Sequence, residues 1–279
     1  MPTYLDAIKA ALANKSDKGT NNNSANGTKL AYWKPTLGEH DVRFLPLKTQ
    51  TGEPFLEVLY YEGLSERRTP APYGFGLEDP IKEQFEKLRK TKEGWAVAKF
   101  LQPRKRFYGI VIVRGDENKG PQVWEFAQSV RDDIYKTLCH KDNVDEDMLS
   151  FDGGYDFTCS VTPTIDEKSG KVKMYKGNAC KTIDLKARKK PTPLSKNKAD
   201  ADKWIAAIPN LAEMFKQQCK EPAELVDMLE NFVERLASGG STTDDSEAGT
   251  DHTASRSGPD TKTATEAGLN DAFAGLING

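Results

Sequence analysis

The sequence predicts an α+β protein that is mainly β, a partly open antiparallel barrel with an inserted helical part and a C-terminal helical part. Short runs rich in β-branched and aromatic residues follow one another over the first half of the chain, separated by glycine and proline. Apolar residues at helical spacing interrupt these runs and then continue alone beyond residue 203. We therefore expect one folded core elaborated by helices.

Ordered structure is expected mainly in the middle of the 279-residue chain. Residues 13–29 and 237–268 contain no large apolar side chain, so they cannot bury enough surface to offset the entropy of ordering. The predicted divisions are an N-terminal helix with a flexible linker (1–29), the core (30–236), and a disordered acidic tail with a terminal motif (237–279).

The first elements of the core read as strands. The runs LAYWK, DVRFLPL and PFLEVLYYEG predict consecutive antiparallel strands. Asp79 as N-cap and Pro80 at the first helical position predict a helix that continues to about Thr91. RKRFYGIVIVR then predicts a long strand, and GDENKG followed by PQVWEFA predicts a hairpin back along it.

The second half of the core is predicted to contain a helix, then two strands, and then only helices. Val130, Ile134 and Leu138 recur at helical spacing, and YDFTCSVTPTI and KVKMYK predict two strands around the turn DEKSG. Three helical segments follow, over 204–208, from Leu211, and from Pro222 to about residue 236.

Several protein classes are excluded by composition. No apolar run approaches the ~18 residues of a membrane-spanning helix, and the N-terminus lacks the apolar run of a signal peptide. Four cysteines spread through a large, lysine-rich chain favour reduced thiols over disulfides. We expect a soluble protein that is not exported.

The sequence contains no recognisable catalytic or metal-binding motif. Asp132, Asp133 and the acidic run 145–147 are the best carboxylates for a metal-dependent nuclease, but neighbouring acids on a helix point in different directions. Cys139 and His140 could bind a metal ion only with help from distant residues. We therefore expect no catalytic residue and no metal site.

Cations and aromatic rings meet at the start of the long predicted strand. Arg104, Lys105 and Arg106 run directly into two aromatic residues, and further rings lie upstream and on the hairpin partner. In a single-strand groove, cations follow the phosphates and rings stack on bases at ~1–3 kcal/mol each. Some of the rings are expected to be core residues instead. The candidate contacts are Trp95, Arg104, Lys105, Arg106, Phe107, Tyr108, Trp124 and Phe126.

A second cationic segment covers residues 168–198. It holds eleven basic residues and one acidic residue, a net charge of +10, although the whole chain carries −2. Part of such a run is always a solvated face, but this excess requires counter-charge, for which phosphate and the acidic tail are the candidates. Lys186, Arg188 and Lys189 are the candidate contacts. No pattern indicates a helix that reads the major groove, so binding without sequence preference is favoured.

The two ends of the chain carry short apolar patterns. Tyr4, Ile8 and Leu12 share one face of a predicted helix that is too short to be stable alone, so we expect it to dock on its own core or on a neighbouring molecule. The last eleven residues, LNDAFAGLING, end an acidic segment (241–279) of seven acidic and two basic residues and suggest a motif for partner proteins, or a frayed end.

The runs VRFLPLK, PFLEVLYYEG, RKRFYGIVIVR, ENKGPQVWEF and LNDAFAGLING, in this order and with the acidic tail, resemble the helix-destabilising single-stranded-DNA-binding protein of T-even-type bacteriophages. The resemblance implies an OB-fold and cooperative coating of single strands during viral DNA replication, recombination and repair, in the cytoplasm of a bacterial host. It also implies DNA contact by residues 104–108 and by Arg43.

For the two ends of the chain, the resemblance implies self-association along the strand and recruitment of replication and recombination proteins, such as a polymerase, a helicase loader and a recombinase mediator. The self-association residues would be Tyr4, Ile8, Lys9 and Leu12. The partner-binding residues would be Leu269, Asp271, Phe273, Leu276 and Ile277.

Two features depart from that family. Its structural zinc uses one His and three Cys, but residues 60–100 contain neither type, so we expect no zinc and no other cofactor. Its basic N-terminal motif is also not evident, since the first twelve residues offer only Lys9. Two alternatives stay open: an RNA-binding translational repressor of the same fold, and a nuclease that uses Asp132, Asp133 and Asp145.

Overall fold

The computed structural model describes residues 31–47, 54–138, 148–167, 169–175 and 178–237. The predicted N-terminal helix with Tyr4, Ile8, Lys9 and Leu12, the linker, and the acidic tail with its terminal motif lie outside these residues. Within them the protein is α+β, as predicted. None of the helices in the described part is long and apolar enough to cross a membrane.

Ten strands are present in the described part. They are β1 (Tyr32–Trp33), β2 (Gly38–Leu45), β3 (Leu56–Tyr61), β4 (Thr69–Pro70), β5 (Arg104–Val113), β6 (Gln122–Phe126), β7 (Tyr155–Pro163), β8 (Met174–Tyr175), β9 (Asn178–Ala179) and β10 (Lys181–Pro191). Eight of them form one open, mixed sheet in the order β1-β6-β5-β2-β7-β10, with β3 pairing with both β4 and β5. β8 and β9 pair only with each other.

Six α-helices accompany the strands in the same residues. They are α1 (Pro80–Leu88), α2 (Lys92–Leu101), α3 (Gln128–Leu138), α4 (Lys198–Ala206), α5 (Leu211–Lys216) and α6 (Pro222–Ala237). α1 begins as predicted, because the Asp79 carboxylate accepts hydrogen bonds from the backbone N–H groups of Ile81 and Lys82. It ends at Leu88, three residues before the predicted end.

α2 is an element that the sequence did not reveal. Thr91 caps it, its hydroxyl oxygen accepting a hydrogen bond from Gly94 N at 3.0 Å. Gly94 is required there, because a Cβ atom at this position would lie 2.3 Å from the carbonyl oxygen of Leu88. This close approach allows α2 to follow α1 after only three residues.

Strand pairing differs from the prediction in two places. β1 runs parallel to β6, with Tyr32 opposite Val123 and Trp33 opposite Trp124. β2 and β3 are not neighbours, since β2 pairs with β5 and β7. The expectation of consecutive antiparallel strands was therefore wrong, because tertiary packing and not the local pattern selects the partner of each strand.

The described chain divides into two compact units. The first unit contains residues 31–56 and 107–210, and the second unit contains residues 57–106 and 211–237. The core of the first unit contains an aromatic cluster of Phe44, Phe55, Phe107, Trp124, Phe126 and Phe157. In the second unit α1, α2 and α6 bury apolar side chains that include Ile81, Leu101, Leu225, Leu229 and Phe232.

Candidate nucleic-acid interface

β10 carries the densest set of exposed cations in the described residues of segment 168–198. Ile183, Leu185 and Ala187 pack on or in the core of the first unit, so the residues between them face outward. The register with β7 shifts between Ala187 and Pro191. Strict alternation is lost there, and residues 188–190 are all exposed. The candidate residues Lys186, Arg188 and Lys189 therefore lie at the surface, together with Lys190.

Each of two outward-facing cations of β10 has a carboxylate partner. Lys186, whose side chain is 78% exposed, lies 3.0 Å from Asp184. Arg188 lies 2.5 Å from the carboxylate of Asp41 on β2. Asp41 also accepts a hydrogen bond from the Thr158 hydroxyl at 2.8 Å, which fixes it on the same face of the sheet.

A second exposed cationic cluster lies in the second unit, at the start of β5. Arg104 and Lys105 are half-exposed, whereas Arg106 is mostly covered. Arg104 and Arg106 point to the same side, as strand alternation requires, and both contact Glu62. Lys105 points to the other side and lies 3.0 Å from Glu57.

Trp95 is the exposed tryptophan of the chain. Its side chain on α2 is 43% exposed, while Trp124 and Trp204 are buried and Trp33 is partly buried. Its ring centroid lies 6.5 Å from that of Phe85. Arg89 in turn lies over the ring of Phe85 at 5.7 Å. An exposed ring beside a cation is the combination that binds unstacked bases.

Four predicted aromatic contacts are core residues instead. Phe107, Tyr108, Trp124 and Phe126 are almost completely buried. Trp124 packs edge-on against Trp33 at 4.8 Å, and Phe126 packs against Phe55 at 5.1 Å. β5 changes from exposed to buried after Arg106, so its basic residues and its rings do not share one surface. The sequence predicted core positions for only some of the candidate rings, whereas the structure places all four of these in the core.

Arg43 is also not a surface residue. Its side chain is 0% exposed and its guanidinium lies 3.2 Å from the Asp156 carboxylate. It also donates hydrogen bonds to the hydroxyl and carbonyl oxygens of Thr192. Burial lowers the pKa of Arg43 to about 10, although the nearby Asp156 opposes this shift. The implied DNA contact is therefore replaced by a structural role.

Two exposed cations of the second unit were not among the predicted contacts. Arg67 and Arg68 are exposed in the segment between β3 and β4. The guanidinium of Arg68 lies over the Tyr60 ring at 4.6 Å, a cation–π contact. The adjacent arginines were visible in the sequence, but a pair of basic residues is common on any solvated surface.

Two of the carboxylates considered for a nuclease are paired with bases, and Cys159 is buried. Asp132 is paired with Arg131, and Asp133 with Lys136 at 2.9 Å, whereas Asp145 and the pair Cys139–His140 lie outside the described residues. In the described ranges no three His, Cys, Asp or Glu side chains are placed to hold a metal ion. Cys159, Cys180 and Cys219 are free thiols. Burial raises the pKa of Cys159 to about 12, which makes this thiol a poor nucleophile.

No protein-family model matches the sequence, and a search of curated proteins finds no significant match.

Proposed function

We propose that this protein binds single-stranded DNA without sequence preference and has no enzymatic activity. The observation that carries the proposal is the exposed cationic run of β10, formed by Lys186, Arg188, Lys189 and Lys190. These side chains lie on β10, the last strand in the order of the sheet, so an extended chain of phosphates can approach them. Each phosphate contact on a single strand is expected to contribute about −0.7 to the slope of log K against log salt.

The choice of a single strand over a duplex rests on the second unit. Trp95 offers an exposed ring, and Arg104 and Lys105 offer exposed cations, on the same compact unit. Stacking of one base on such a ring contributes ~1–3 kcal/mol, and only unpaired bases are free to stack. The candidate contact cations of both units lie on the strands β5 and β10, whereas a duplex reader commonly places a helix in the major groove.

For the fold of the first unit, we propose an elaborated, partly open OB-type barrel. β2 pairs with β7 through residues 38–42 and with β5 through residues 42–45. Such a staggered register is what curls a sheet toward a barrel. The aromatic cluster that includes Phe44 and Trp124 would then fill the barrel interior.

The resemblance to the T-even phage family completes the proposal. The protein would coat single strands and destabilise duplexes during viral DNA replication, recombination and repair in a bacterial cytoplasm. Its N-terminal residues would mediate self-association, and its acidic tail would recruit replication and recombination proteins. It would need no cofactor and no zinc.

The test is a binding titration that neutralises the β10 cations. Arg188→Gln, Lys189→Gln and Lys190→Gln in one protein should weaken binding to a labelled oligo(dT) at least about tenfold at low salt, because three phosphate contacts are lost. Fluorescence anisotropy measures the affinity, with magnesium present.

The matched control neutralises three exposed helix lysines, Lys87, Lys203 and Lys216, and should bind like the wild type. Equal losses in the two triple variants would contradict the proposal. Tighter binding to single-stranded RNA would favour the RNA-binding alternative. Cleavage that disappears in Asp133→Ala would favour the nuclease alternative.

A further inference from the structure

Most of the candidate contact cations are paired with carboxylates of the protein itself. This applies to both described clusters, each considered within its own unit. The pairs are Arg104 and Arg106 with Glu62, Lys105 with Glu57, Lys186 with Asp184, and Arg188 with Asp41. A phosphate that binds any of these cations must share it with an acidic side chain or replace that side chain.

Glu62 lies within ion-pair distance of two arginines, although its buried Oε2 makes no hydrogen bond in the described structure. It follows β3, its side chain is 11% exposed, and each of its two carboxylate oxygens faces a different arginine. Oε2 lies 3.3 Å from Arg104 Nε and Oε1 lies 3.6 Å from a terminal nitrogen of Arg106. Two guanidinium groups that converge on one anion are a common way in which proteins bind phosphate.

Asp41 holds the corresponding position in the first unit. It faces Thr158 across the β2–β7 pair, and Thr158 faces Lys186 across the β7–β10 pair. The carboxylate therefore lies in one cross-strand row with the exposed face of β10, where it contacts Arg188. Ion pairs as exposed as this one contribute little to folding stability, so they can open when a ligand competes.

We infer that Glu62 and Asp41 are affinity-determining residues of the interface and occupy, in the free protein, the positions at which its arginines take the phosphates of the strand. Binding exchanges a carboxylate for a phosphate at Arg104, Arg106 and Arg188. The inference rests on the proposed function. It predicts that removing the negative charge, with the shape of the side chain kept, strengthens binding.

The test uses the full chain with Glu62→Gln or Asp41→Asn. Both substitutions keep the shape of the side chain and an oxygen that faces the arginine, so the competing charge is lost with little change in packing. We expect each substitution to tighten binding of oligo(dT) about three- to tenfold at ~50 mM salt. The gain should shrink at ~300 mM salt, because the Debye screening length is shorter there.

The controls remove one negative charge from exposed helix ion pairs that hold no candidate contact. Glu224→Gln separates Lys220 from its partner in the second unit, and Asp200→Asn separates Lys203 from its partner in the first. Both should stay within twofold of the wild type. Glu57→Gln, which frees the half-exposed Lys105, replaces Glu62→Gln if the latter lowers the melting temperature.

The outcomes separate the inference from the proposed function. Suppose that the wild type binds single strands, but that both Asp41→Asn and Glu62→Gln (or its replacement) bind no more tightly than the controls. The inference is then overturned and the function stands. If the wild type does not bind single strands, the proposed function itself fails, and the inference fails with it.

Discussion

Arg43 and Arg188 have the same side chain but different surroundings. Arg43 is surrounded by protein and bonded to Asp156 and Thr192, while Arg188 is half-exposed and paired with one carboxylate. Removing a fully buried side chain costs far more than breaking an exposed ion pair, because it leaves a cavity and deprives Thr192 of its hydrogen bonds, although Asp156 keeps Arg114 as a partner at 2.8 Å. The two arginines should therefore affect different properties of the protein.

Arg43→Ala should reduce the free energy of unfolding by about 3–5 kcal/mol, while Arg188→Ala should leave it almost unchanged. Chemical denaturation of both variants measures this difference. Anisotropy on the folded fraction should show weaker DNA binding for Arg188→Ala alone. A stable Arg43→Ala variant with a selective loss of binding would restore Arg43 as a contact residue.

At this scale the sequence predicted charge better than exposure. Arg104 and Lys105 are exposed to a ligand, but Arg106 is mostly covered and Phe107 is in the core. A local pattern of alternating residues does not show at which residue of a strand both faces become covered by other parts of the protein. Nor can it reveal that Asp156, 113 residues away along the chain, is the partner of Arg43.

The element with the most specific local support is α1. The buried carboxylate of Asp79 caps the helix through Ile81 N and Lys82 N, and it also accepts a hydrogen bond from the Tyr61 hydroxyl at 2.9 Å. Burial, with the nearby Asp79 carboxylate, raises the pKa of Tyr61 well above its ordinary value. The hydroxyl therefore stays protonated and continues to donate.

Asp79→Ala should lower the free energy of unfolding by about 2–4 kcal/mol, since it removes a cap and leaves a buried hydroxyl without its acceptor. Thr91→Ala is the matched control, because Thr91 caps α2 only through Gly94 N and its loss should cost about 1 kcal/mol. Urea denaturation compares the two variants. Equal losses would contradict the double role of Asp79.

The predicted elements were those with strong local signals. Asp79 and Pro80 marked α1, and the turn before Gln122 marked the hairpin of β5 and β6, which the structure confirms. β10 was missed because its lysines were interpreted as a charge run, although Ile183, Leu185 and Ala187 alternate with them. KVKMYK, predicted as a strand, contributes only Met174–Tyr175 as β8.

For the whole molecule, the net charge of −2 combines segments of opposite character. The segment 168–198 carries +10 and residues 241–279 carry −5. The structure adds that the exposed cations are partly neutralised by nearby acids such as Asp41 and Glu62. The sequence could predict the α+β class and the surplus of cations, but the pairing of strands and charges depends on contacts distant in sequence.

The most direct test of single-strand binding is a titration of intrinsic tryptophan fluorescence with single-stranded and duplex DNA at two salt concentrations. Trp95, 43% exposed, should be the main reporter, so single strands should quench the emission and Trp95→Phe should lose most of the signal. Affinity should fall steeply as salt rises. Equal quenching by duplex DNA, or an affinity that salt does not change, would contradict the account.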